Sequence, residues 1–155
     1  MKIQMNDKKL WKIFSEYIRL RDSDEEGNCK CITCSFKANW KRFDCGHGVG
    51  RQYKSTKFES RNNHAQCKRC NGFDGGQQAI YKEEVEKRYG KGTWDELVIK
   101  SRQVCKRGKI EIEVMTEYYR KEVKRLKTEK IYESYPNQNH LREPTGGSPG
   151  EERKP

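Results

Sequence analysis

The sequence predicts an α+β protein: a zinc-stapled finger flanked by helices, with a disordered C-terminal tail. Three observations lead there. Two cysteine pairs at metal-knuckle spacing, Cys31-Ile-Thr-Cys34 and Cys67-Lys-Arg-Cys70, enclose a short segment of turns and strand-like residues. Helical periodicity runs on both sides of that segment. A chain of 155 residues that is 32% hydrophobic and 37% charged has too little apolar material for a large core, so a metal staple takes its place. The folded unit is expected over residues 1–128 as one domain, with the finger core at 29–90.

Each element has its own signal. Residues 7–21 bring Leu10, Phe14, Tyr17 and Ile18 onto one side at helical spacing, with Asn6 or Asp7 as N-cap. The acidic, turn-rich residues 22–28 read as a solvated connector. Trp40–Cys45 reads as a short strand closing on Gly46-His47-Gly48, where two glycines would let a substrate or metal approach the backbone. A basic loop follows over 51–61, and Gly75-Gly76 leads into a helix from about Gln77 to Tyr89, stopped by Gly90. Thr93-Trp-Asp-Glu96 has capping-box spacing and opens a helix over 93–105. A further helix is expected over 110–128 from Ile112, Met115, Tyr119, Val123 and Leu126, although Ile110–Val114 alternates like a strand. Residues 129–155 turn to Pro, Gly, Ser and Glu, the composition of a disordered tail.

The cysteines and charges limit the function. Seven cysteines are too odd a number for a complete disulfide framework, and four have knuckle spacing. Cys29-Lys-Cys31 offers a second register for the first knuckle; the spacing shared with Cys67 and Cys70 favours Cys31 and Cys34. Cys29, Cys45 and Cys105 then read as small thiols. No apolar run is long enough to span a membrane and the first residues lack a secretory h-region, so a cytoplasmic protein is expected. The net charge is +11, and residues 131–155 carry three basic to four acidic residues, so the positive charge belongs to the folded part. Lys41, Arg42, Arg51, Lys54, Lys57, Arg61, Lys68 and Arg69 are the candidate DNA-binding residues.

Zinc held by Cys31, Cys34, Cys67 and Cys70 has all four positions filled, which makes it structural. Chemistry must lie elsewhere. Phosphodiester hydrolysis needs a base to activate water and a cation to neutralise developing charge. A neutral histidine suits the first task, and oxygen ligands for Mg²⁺ or Mn²⁺ suit the second. Asp44, His47, Asn62 and Asn71 offer that set.

These residues resemble the HNH, or ββα-metal, nucleases. More narrowly, Asp44-Cys-Gly-His47, then Lys57-Phe-Glu-Ser-Arg-Asn62-Asn-His64-Ala-Gln-Cys67-x-x-Cys70-Asn71, a Gly-Gly-Gln-Gln and a Tyr-x7-Tyr-Gly ending resemble the NinG/Rap recombination endonucleases of lambda-type phages. Tyr17-Ile-Arg-Leu-Arg-Asp22 and the Tyr118/Tyr119 helix extend the likeness over about residues 8–128. The resemblance implies a ββα-metal finger with His47 as general base, Asn62 orienting that histidine and Asn71 binding the catalytic cation. Many family members carry Asp or His just before the base, where this chain has Gly46. Asp44 and His64 therefore compete as the other metal ligand. The resemblance further implies branched substrates such as D-loops and Holliday junctions, a homodimer for symmetric cutting, and a phage protein at work in the host cytoplasm. The alternative is a non-catalytic zinc-containing DNA-binding protein.

Overall fold

The computed structural model describes residues 2–134. Four helices, α1 (Lys2–Arg21), α2 (Gln78–Tyr89), α3 (Thr93–Ser101) and α4 (Lys109–Ser134), surround two antiparallel strand pairs. The pairs are β1 (Asn28–Lys30) with β2 (Lys37–Asn39), and β3 (Phe43–His47) with β4 (Asn63–Cys67). A 3-10 turn at Trp40–Arg42 leads into β3, another at Ser60–Asn62 leads into β4, and a π-helical turn at Arg69–Phe73 follows it.

As the polar composition requires, apolar burial is split among three small clusters rather than one large core. Leu10, Phe14 and Ile18 of α1 pack with Cys45, Phe58 and Ile112. Tyr119 of α4 meets Phe14 edge-on at 4.9 Å, and Lys127 pairs with Glu16, so α1 and α4 run side by side in the same sense. Each fully buried Leu, Ile or Phe contributes roughly 1.5–3 kcal/mol here. A second cluster holds Cys29, Cys31, Phe43, Ala65, Cys67 and Cys70, and a third places Tyr81, Val85 and Leu97 over Ile32 and Val49. The β3–β4 hairpin is thus sandwiched between α1 on one face and α2 on the other.

Several boundaries differ from expectation. The first helix begins at Lys2 rather than residue 7, so Asn6 and Asp7 lie inside it rather than at its N-cap. The third helix ends at Ser101, short of 105, and the last runs from Lys109 to Ser134. Residues 129–134 therefore continue a helix instead of opening the tail, and the rest of the expected tail lies outside the described residues. The Ile110–Val114 alternation is helical because Ile112 turns inward while Ile110 and Val114 stay exposed. The strand expected at 40–45 is displaced to 43–47 by the Trp40–Arg42 turn. The capping box at Thr93 does not form: the Gly92 and Trp94 amides instead donate to the Glu86 carboxylate of α2, at 3.0 and 3.1 Å. Gly90 does end α2, at φ 104°.

Candidate functional site

Cys31, Cys34, Cys67 and Cys70 converge, their sulfur atoms all within 4.8 Å of one another. Among the described residues no other group of three or more His, Cys, Asp or Glu side chains is close enough to hold a metal. The Cys34–Cys67 sulfur separation of 3.8 Å matches the edge of a tetrahedron with metal–sulfur bonds of about 2.3 Å, the zinc–thiolate value. The Cys67 amide donates to Cys31 Sγ at 3.3 Å, as a thiolate ligand attracts. The register question is answered by Cys29, whose thiol faces away and lies 3.1 Å from the Arg19 carbonyl. Cys45 is buried beside Asn63, and Cys105 is half-buried apart from the cluster. The four cysteines could hold a structural metal ion.

The hairpin distributes the other candidates. Its register sets Asp44 opposite Gln66, Gly46 opposite His64 and His47 opposite Asn63. Because strand side chains alternate, Asp44, His64 and Gln66 share the α2 face, while Cys45 and His47 share the α1 face.

On the α1 face the His47 ring stacks on Trp11, with centroids 5.0 Å apart, and Arg51 covers the same indole at 4.6 Å. Burial, then the positive charge of Arg51, lowers the His47 pKa to about 4 against a contact with the Lys57 main chain that favours protonation. The imidazole is therefore neutral, and its Nε2 has no hydrogen-bond partner among the described residues.

On the α2 face Asn71 projects from the π-helical turn and donates to Asp44 Oδ2 at 3.2 Å, so these two stand together. His64 does not join them. It is completely buried, stacked on Tyr89 at 5.6 Å, with Nδ1 2.8 Å from Arg21 Nη2 and 3.4 Å from Asp22 Oδ2. Since a guanidinium only donates, Nδ1 must accept, which makes His64 the Nε2-protonated tautomer. Burial lowers its pKa. Burial also opposes the Asp22 charge, but His64, Arg21 and the Ala65 amide together hold that carboxyl at about 2. Asp22 is accordingly a buried anchor, which corrects the reading of residues 22–28 as solvated throughout.

Asn62 lies wholly inside, and its hydrogen bonds go to the loop rather than to His47. It accepts from Val49 N at 2.6 Å and donates to Val49 O and Thr56 O at 2.9 and 3.2 Å. The Tyr81 hydroxyl lies 3.0 Å from the Gly46 carbonyl and 3.3 Å from that of Asn62, fixing the strand ends around His47 from below. The flanking glycines serve the interior too. A Cβ at Gly46 would collide with Gln66, and one at Gly48 would sit 2.9 Å from both Trp94 and Tyr81. No family-type Asp or His fits at position 46 while Gln66 holds Thr33 and the Gly76 carbonyl.

The basic residues separate as well. Lys41, Arg42, Lys68 and Arg69 line an open groove of about 750 Å³ beside Cys34, Cys67 and Phe36. Arg61 is engaged by Glu59 and Glu96, and Lys57 by Asp7. Trp11, Asp22, Gln66 and Tyr81 were given no site role by the sequence reading, although the last three sit in the stretches that carried the resemblance. No helix among the described residues is long and apolar enough to cross a membrane. A family model described as Bacteriophage Lambda NinG protein matches residues 2–129. No curated protein and no solved structure matches the chain.

Proposed function

The chain belongs to the bacteriophage lambda NinG family, and on that premise we propose that it is a metal-dependent DNA endonuclease of HNH type, acting on branched recombination intermediates in the host cytoplasm. The observation that carries this reading is His47: a neutral ring whose Nε2 has no hydrogen-bond partner among the described residues, three positions along β3 from Asp44 and on the opposite face from the Asp44–Asn71 pair.

In this reading Cys31, Cys34, Cys67 and Cys70 hold zinc and fix the hairpin ends. Asp44 and Asn71 fit a hard cation because both offer oxygen; Asn71 would turn its amide oxygen inward in place of the Nδ2 now on Asp44. The geometry favours Asp44 over His64, which Arg21 and Asp22 already occupy. When bound, Mg²⁺ or Mn²⁺ supplies charge neutralisation at the scissile phosphate, with substrate and water completing its shell. His47 takes the proton from the attacking water, Trp11 holds the ring plane, and Arg51 stands close enough to pair with a backbone phosphate. Asn62 positions indirectly, by pinning Val49 and Thr56 so that the loop cannot drift from His47.

The test compares wild type with His47→Ala on a four-way junction, a D-loop and a linear duplex in Mg²⁺. Cleavage should fall by about 10²–10⁴-fold, the usual worth of a general base, while one zinc per chain, thermal stability and junction binding persist. Undiminished cutting by the variant would reject His47 as base. Junction binding without cutting by wild type would favour the non-catalytic zinc-containing DNA-binding protein.

A further inference from the structure

A second groove, of about 480 Å³, lies where the 51–61 loop meets the start of α4, away from the four cysteines. Lys54, Lys57, Lys106 and Arg107 line it with Asp7 and Ile112. Two of the four cations are neutralised in place. Lys57 pairs with Asp7 at 2.5 Å, and Arg107 packs over the Phe58 ring at 5.2 Å with Glu111 3.5 Å from its Nε. The Glu111 contact opposes the charge without hydrogen-bond geometry, and the buried Arg107 Nε–H has no hydrogen-bond acceptor among the described residues. Lys54 and Lys106 are exposed, and neither ammonium has an ion-pair partner among the described residues.

The scaffold adds to this charge. Arg107 donates to the Lys54 carbonyl at 2.6 Å, tying the loop to the segment before α4. That helix begins at Lys109 and runs 26 residues, so its positive N-terminal end points at the groove, where Ile112 of its first turn forms a wall. Two free ammoniums and the Arg107 guanidinium thus line one space beside the start of α4, a combination suited to a phosphate dianion or diester. The Lys57 main chain, on the same loop, contacts the His47 ring.

We propose that the groove formed by Lys54, Lys106 and Arg107 is a second phosphate-binding site, occupied by a nucleic-acid backbone that leaves the His47 side of the hairpin. The inference rests on the nucleic-acid part of the proposed function and adds residues to it: Lys106 and Arg107 were not among the candidates taken from the sequence. With the Lys41–Arg69 groove on the cysteine side, it gives the protein two separate backbone tracks, the minimum for holding two arms of a branch.

Lys54→Ala/Lys106→Ala is the variant to use, since neither side chain supports the fold. Binding of a fluorescein-labelled junction and duplex is followed by anisotropy across a salt series, with Ca²⁺ replacing Mg²⁺ to slow turnover. The expected result is an affinity loss on the order of tenfold, independent of base sequence, with the slope of log K against log salt shallower by about two. An exposed control, Lys82→Ala/Lys91→Ala, should keep the wild-type slope. Equal affinity and slope in wild type and the groove variant would overturn the inference, while wild-type junction cleavage in Mg²⁺ would leave the nuclease reading standing. Inorganic phosphate titrated into both proteins separates the sources. Phosphate binding lost in the variant with DNA affinity unchanged would make this a free-phosphate site and reject the backbone assignment.

Discussion

Two histidines sit almost side by side on one hairpin, each attended by an arginine, and they have opposite surroundings. His64, on the α2 face, is completely buried and receives the Arg21 guanidinium directly at 2.8 Å. His47, on the α1 face, is half-buried and meets its arginine only through Trp11, with Arg51 on the indole and Nε2 unclaimed. The accepting nitrogen of His64 is consumed by architecture, while that of His47 has no partner among the described residues, although the Nε2 atoms of both rings are buried. A hairpin whose two strands alternate their side chains between two helices can make both from the same residue type.

The largest expected difference between the two faces lies in the arginines. Arg21 donates to the carbonyls of Ser60 and Asn63 as well as to Asp22 and His64. Arg21→Ala strands a buried Asp22 carboxylate and two carbonyls, and should destabilise the protein by about 3–5 kcal/mol. Urea denaturation measures this directly. A loss under about 1 kcal/mol would mean that His64 and Asp22 are not held by this network, and the contrast with His47 would collapse.

His64→Ala comes next, at about 2–3 kcal/mol near neutral pH, from the cavity and the lost Arg21 contact. Its pH dependence has a definite sign. The folded-state pKa of His64 lies below the unfolded value of about 6.5. The contribution of the neutral ring is therefore complete above about 6.5 and declines as pH falls below it, when the unfolded chain gains a proton that the folded chain refuses. The deficit of the variant should shrink between pH 7 and 5.5. Asp22, held at about 2, adds no slope in that window because its folded and unfolded forms are both ionised there. A pH-independent deficit would show that burial of a neutral His64 is not what stabilises this face.

The sequence is legible to different depths on these two faces. Knuckle spacing located the four cysteines because zinc imposes a local rule, two residues between paired ligands, that survives translation into coordinates. Helical periodicity located the buried positions of α1 for a similar reason, since Leu10, Phe14 and Ile18 need only a common partner. The roles of His47 and His64 had no such local rule. His64 is decided by Arg21 and Asp22, more than forty residues earlier in the chain, and Asn62 by a loop that it closes on itself. The glycines around His47 misled for the same reason: the groups that crowd them, Gln66, Tyr81 and Trp94, arrive from later elements. Helix caps failed where a distant carboxylate, Glu86, did the work that a local Thr could have done.

Arg51→Ala gives the smallest expected stability change and the sharpest form of the comparison. Arg51 is exposed and rests over the Trp11 indole at 4.6 Å, a cation–π interaction of about 0.5–1 kcal/mol at such a site. Its loss should therefore cost under about 1 kcal/mol in the same urea experiment in which Arg21→Ala costs several times more. Cleavage should nonetheless suffer, because the charge removed is the one that stands beside His47 and keeps that ring from protonating. A binding salt slope shallower by about one would mark the lost phosphate contact. If Arg51→Ala instead unfolds the protein as severely as Arg21→Ala, then Trp11 and Arg51 are structural partners of His47, and the α1 face is a second Arg21-type network rather than a site left open for a substrate.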